Sequence, residues 1–143
     1  MTIAKWLFAV LLLLGAHFAA SYLVPLDSQA QQEFGGLLRW AWPWSDGDSG
    51  PLGQVTTYSG VPFSGFILAA TTAVLFLLAA LAVMGWWVSF GWWRVLAIGG
   101  AILSLLLMVA FFDPRKLLPI VLDLVVVWAA ITNWPQSWLQ PAA

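Results

Sequence analysis

The chain has 143 residues, of which 62% are hydrophobic and 8% charged, and its net charge is −1. A soluble domain carries roughly a quarter charged residues, so this composition belongs to an integral membrane protein, and the lack of a basic field excludes nucleic acid as a partner. With no cysteine and a single histidine, disulfides, thiolate catalysis, iron–sulfur ligation and a di-histidine metal or haem site within the chain are excluded as well.

The opening stretch "MTIAKWLFAVLLLLGAHFAAS" has the basic residue, apolar core and small-residue end of a secretory leader. We expect it to be retained as a first span over residues 6–24, stopped by Pro25. Ala16 and Ala20 put a small-xxx-small pattern on this helix, the spacing that lets helix backbones approach closely in lipid.

Residues 25–62 form the sizeable polar loop. Within it, "DSQAQQEFGGLLRWAWPW" reads as a short amphipathic helix lying on the membrane. Ser28 and Gln31 have capping-box spacing. Ala30, Phe34, Leu37, Leu38 and Ala41 share one face, while Gln31, Gln32, Glu33 and Arg39 are polar. The Gly35–Gly36 pair interrupts the pattern. The expectation is a mainly helical 28–42, with Phe34, Leu37 and Leu38 facing inward and Trp40, Trp42 and Trp44 anchoring its end at the interface.

"GDSGP" at Gly47–Pro51 matches the string around a trypsin-like nucleophile. Such catalysis needs a histidine base beside the serine, and His17 lies inside the first span. "DGDSG" also begins like a calcium loop, but counting from Asp46 its twelfth position is Thr57 where a glutamate belongs. An ordinary turn is expected, with no metal site.

The second span is expected over 63–87 and the third over 93–112, joined by "GWWVSFGWWR" as a tight helical hairpin. Trp86, Trp87, Trp92 and Trp93 then form an aromatic belt at one membrane surface. In the third span Ala97, Gly100 and Ser104 line one stripe, expected to serve packing within the bundle. The fourth span, 114–133, opens at "DPRK", with Asp113 as cap and Pro114 in the first turn. Pro119 leaves the Arg115 carbonyl free and is expected to bend the helix there.

Asp123 sits in the apolar run "LPIVLDLVVVW", nine residues after Pro114. His17 lies eight residues before Pro25, Ser104 eight before Phe112, and Thr71 eight after Phe63, with Thr72 beside it. At ~1.5 Å per residue all of them are ~12–14 Å below one membrane surface. The spacing therefore predicts a polar layer of His17, Thr71, Thr72, Ser104 and Asp123, read either as a register device or as a binding site. An ionisable group at that depth costs on the order of 2.5–3.5 kcal/mol unless paired or neutralised. Asp123 is accordingly expected to face inward, with His17 as its partner; no pigment or haem is expected on His17.

The chain thus reads as one membrane domain over 1–143, an all-α, four-transmembrane-helix bundle with a short amphipathic interfacial segment between helices 1 and 2. Both termini are expected in the cytoplasm, because Lys5 precedes the first apolar run. Many small membrane proteins share this layout, DoxX-type ones among them, and no motif ties the chain to any of them. Vitamin K epoxide reductase-like enzymes share it too, but their chemistry needs cysteines that this chain lacks. The expected function is non-enzymatic: an accessory or assembly subunit of a larger membrane complex, in contact with the lipid bilayer and other membrane subunits. The alternative is a binder or carrier of a small amphiphile, a lipid or quinone, using the polar layer. No cofactor is predicted.

Overall fold

The structure is a computed structural model that describes residues 3–33, 36, 40–45, 48–51, 53–55 and 63–134. Long apolar stretches become helices, and polar turns separate them. Helix α1 spans Ile3–Ala20 and runs into a 3₁₀ turn, Ser21–Leu23; a short α2 follows at Ser28–Glu33. A two-residue hairpin pairs β1, Ser49–Gly50, with β2, Gly53–Gln54. Then come α3, Phe63–Met84, α4, Trp93–Ala110, and α5, Leu117–Ile131.

The stretches Ile3–Leu23, Gly65–Met84 and Phe90–Ala110 are long and apolar enough to cross a membrane. The fourth helix begins later than its sequence suggests. Asp113 does cap, its Oδ1 accepting the Arg115 backbone N–H at 2.9 Å, but Pro114–Lys116 form a 3₁₀ turn, and the α-helix covers only 15 residues. Pro119 therefore falls in the first turn of α5, where its missing N–H has no helical acceptor to lose. The expected bend within a continuous 114–133 helix is replaced by this change of helix type.

In space α1 packs on α3, α3 on α4 and α4 on α5, with α5 also touching α1. The ring of Phe76 is the spacer at the centre. A Cβ on Gly15 of α1 would lie 3.0 Å from it, and one on Gly100 of α4 would lie 3.3 Å away. Bare backbone on both neighbours is what admits a fully buried phenylalanine between them. Ala97, Gly100 and Ser104 all face inward, so this small-residue stripe serves packing inside the bundle. Ala16 and Ala20 line an outer groove between α1 and α3.

Helix ends are closed by local chemistry. Gly85 (φ 73°) ends α3, and the Trp86 N–H reaches the Leu81 carbonyl at 2.9 Å. Asn133 (φ 55°) plays the same part after α5, with the Trp134 N–H on the Ala129 carbonyl at 2.9 Å. Arg94, at the start of α4, donates through Nε to the Ala130 carbonyl at 2.9 Å, placing a cation on the negative end of α5.

The expected 28–42 surface segment is helical over Ser28–Glu33 and again at Trp40 and Ala41, and it is interrupted between them. Asp27, one residue before the expected cap Ser28, accepts the Ala30 N–H at 2.7 Å and starts α2. The helix stops at Glu33, and Gly36 (φ 82°) is left-handed, which no continuous right-handed helix accommodates. Phe34, Leu37, Leu38 and Arg39 lie outside the described residues.

Candidate functional site

The residues of the predicted polar layer sit on α1, α3, α4 and α5. Tyr22 of the turn after α1 faces Gly65 on α3, and Gly15 and Gly100 both face Phe76. The directions of the layer residues differ. Thr71 is exposed, while Thr72 is fully buried and donates to the Leu68 carbonyl of its own helix at 2.7 Å. Ser104 and Asp123, each 1% exposed, lie side by side where α4 meets α5.

The expected pairing of Asp123 with His17 does not form. His17 sits at the outer α1–α3 groove, and its Nε2 donates to the Ala41 carbonyl at 2.9 Å. A carbonyl can only accept, so this contact fixes the proton on Nε2. Trp42 stands edge-on to the imidazole, centroids 5.1 Å apart, and donates through Nε1 to the Val24 carbonyl at 2.8 Å. His17 therefore ties the loop to the top of α1. Asp123 faces inward as expected, yet both of its oxygens and Ser104 Oγ make no hydrogen bond of ordinary geometry.

A second polar constellation, not anticipated from sequence, sits over the loop end of the bundle. Asp48, at the foot of the hairpin, places Oδ2 2.8 Å from the Lys116 ammonium and Oδ1 3.3 Å from the Arg115 guanidinium. It also accepts the Ser45 N–H at 3.1 Å. Arg115 in turn donates to the Ser45 hydroxyl and, through Nε, to Asp113 Oδ1 at 2.7 Å. Its hydrogen bond holds the Asp113 carboxyl below the usual carboxylate range, although partial burial acts the other way. Two carboxylates thus meet two cations, and the group is neutral as a whole.

Below it lies an aromatic floor. Lys116, with no exposed surface, has its ammonium 4.5 Å from the centroid of the Trp44 ring. Trp44 packs edge-on against Tyr22 at 4.8 Å and Phe111 at 5.7 Å, and its Nε1 donates to the Phe18 carbonyl at 2.8 Å. Trp44 was expected at the membrane interface; it is instead core, because its indole N–H finds an acceptor inside. Trp93 is corrected in the same way, 1% exposed and edge-on to Phe8 at 5.4 Å. Trp40, Trp86, Trp87 and Trp92 stay exposed, as a belt requires, and Trp42 is half-buried.

The signal that sequence reading passed over was the pairing of "DGDSG" with "DPRK": an acid-bearing turn and a basic doublet at the same end of the bundle. Among the described residues no three His, Asp or Glu side chains gather as a metal site. No protein family, curated protein or solved structure was found to match the chain.

Proposed function

We propose that this chain is a four-span integral membrane protein acting as a non-enzymatic accessory or assembly subunit of a larger membrane complex. The observation that carries the reading is how the side chains are divided. Most of the ionisable groups among the described residues are engaged internally: His17 on Ala41, Arg94 on Ala130, and Asp48 on Arg115 and Lys116, with Asp123 an exception. The outward faces carry apolar side chains instead, such as Leu7 and Val10 on α1, Ile102 and Leu106 on α4, and Val121 and Leu124 on α5. For the fourth span, the 3₁₀ turn Pro114–Lys116 and α5 together give 18 residues, three plus 15, near the lower limit for crossing.

Purification from the native membrane in mild detergent, followed by mass spectrometry of proteins and extracted small molecules, tests this. A stoichiometric membrane-protein partner is the expected result. A single monodisperse species without one overturns it. For topology, the termini and the α3–α4 hairpin are assigned to the cytoplasm, and the loop carrying Asp48 to the opposite side. The chain has no cysteine of its own, so Ser89→Cys and Ser49→Cys are clean reporters. An impermeant thiol reagent applied to intact cells should label the second and spare the first.

The amphiphile-binding alternative keeps one specific support. The outer groove between α1 and α3, about 320 Å³, is lined by Ala16, Ala20, Ala73 and Leu77 with His17 at one side, a shape that suits an acyl chain. A lipid retained at one per chain, and lost in Ala16→Phe, would favour that reading.

A further inference from the structure

The contact between Asp123 and Ser104 plays no part in the reading above. Asp123 is deep in α5, six residues from its start at Leu117 and eight from its end at Ile131, about 9 and 12 Å along the axis. Its two oxygens and Ser104 Oγ are buried together, and all three lack ordinary hydrogen-bond partners. An ionised carboxylate accepts only. Left unpaired in an apolar interior, such a charge is far costlier than the neutral acid, so the group takes up a proton instead.

Among the described residues no countercharge is in place to change that outcome. Helix α3 has no ionisable residue. On α4 the ionisable residue is Arg94, ten residues from Ser104 and held on the Ala130 carbonyl. On the α1 side, Lys5 lies over the Phe90 ring, His17 is bonded to Ala41, and Tyr22 packs against Trp44 and Phe111. Preceding α5, Arg115 and Lys116 are bound to Asp113 and Asp48.

We propose that Asp123 and Ser104 form an intramembrane proton-binding site, in which Asp123 is an un-ionised acid at neutral pH and donates its hydrogen to the Ser104 hydroxyl. The proton supplies the donor that the three orphan atoms lack. It binds the carboxylate with no covalent partner lost, and its release leaves one bare negative charge between α4 and α5. The site therefore responds to proton activity wherever water reaches it. The proposal is independent of whether the chain has a protein partner.

Infrared spectroscopy of the full chain in lipid nanodiscs tests it. The chain has six acids; of the other five, Asp27, Glu33, Asp48 and Asp113 lie outside the four long helices, and Asp46 is outside the described residues. At neutral pH the native protein should show a carboxylic-acid C=O band, of one group per chain, absent from Asp123→Asn. In Ser104→Ala the band should persist at a shifted frequency, because the acid has lost its acceptor. A native spectrum without the band overturns the proposal whether or not either variant folds. A band that survives Asp123→Asn also overturns it, and an unshifted band in Ser104→Ala overturns the shared hydrogen.

Discussion

Lys116 and Asp48 meet at 2.8 Å although 68 positions separate them in sequence, and the lysine side chain is fully buried. This contact fastens the hairpin to the foot of α5. Removing only the acid leaves a buried ammonium without its hydrogen-bonded countercharge, so Asp48→Asn should cost about 3–5 kcal/mol. Lys116→Met keeps the aliphatic packing on Trp44 and leaves Asp48 with Arg115, so it should cost less. The double variant should fall below the sum of the two. Unfolding in mixed micelles, followed by circular dichroism, measures all three.

Acid should loosen the same end of the bundle. Asp113 has a folded pKa below its ordinary value, chiefly through its hydrogen bond from Arg115. The folded form thus binds fewer protons than the unfolded one between the two values. Its stabilising contribution is complete above the ordinary carboxylate pKa and disappears as pH falls through the depressed folded value. A pH series of unfolding midpoints should slope downward in that acid window, and Asp113→Asn should flatten the slope.

The hairpin leaves no room for a side chain at Gly50. A Cβ there would stand 2.0 Å from the Ala110 carbonyl oxygen, which is backbone at the end of α4. Gly50→Ala should lift the hairpin off the bundle and release the Val55 N–H from the Asp48 carbonyl, now 2.7 Å away. Hydrogen exchange at Val55 should accelerate, with the exchange of α3 and α4 unchanged.

Tryptophans divide by burial, and so should their substitutions. Trp44 is fully buried, and Trp44→Ala should cost about 3–5 kcal/mol. Trp87 is 97% exposed at φ 55°, a left-handed conformation that a bulky residue adopts only under strain. Trp87→Gly should therefore leave stability unchanged or raise it by up to about 1 kcal/mol. Thermal unfolding in micelles separates the two.

What could be read from the sequence follows from what the chain constrains locally. The heights of His17, Thr72, Ser104 and Asp123 along their own helices were countable, since every helical residue advances by the same amount. Their directions were not: each residue also turns by about 100°, and a nearly all-apolar helix offers no polar stripe to show which side faces a neighbour. That is why Thr71 and Thr72 were indistinguishable and why His17 was assigned to Asp123. The cap at Asp113 and the stop near Asn133 were legible because they depend on adjacent residues. Trp44 and Trp93 were misplaced because an interfacial indole and a buried one have the same letter; what separates them is an acceptor such as the Phe18 carbonyl, 26 residues away. The Asp48–Lys116 contact was hidden by still greater separation.

That separation sets an order of events during synthesis. At ~5–20 residues per second, the partners of Asp48 at Arg115 and Lys116, 67 and 68 positions downstream, follow it off the ribosome by roughly 3–14 s. Throughout that interval α1, α3 and α4 can enter the bilayer while the hairpin has nothing to fasten to. The seated hairpin is therefore a late mark of maturation, one that a truncated chain ending before residue 115 never acquires.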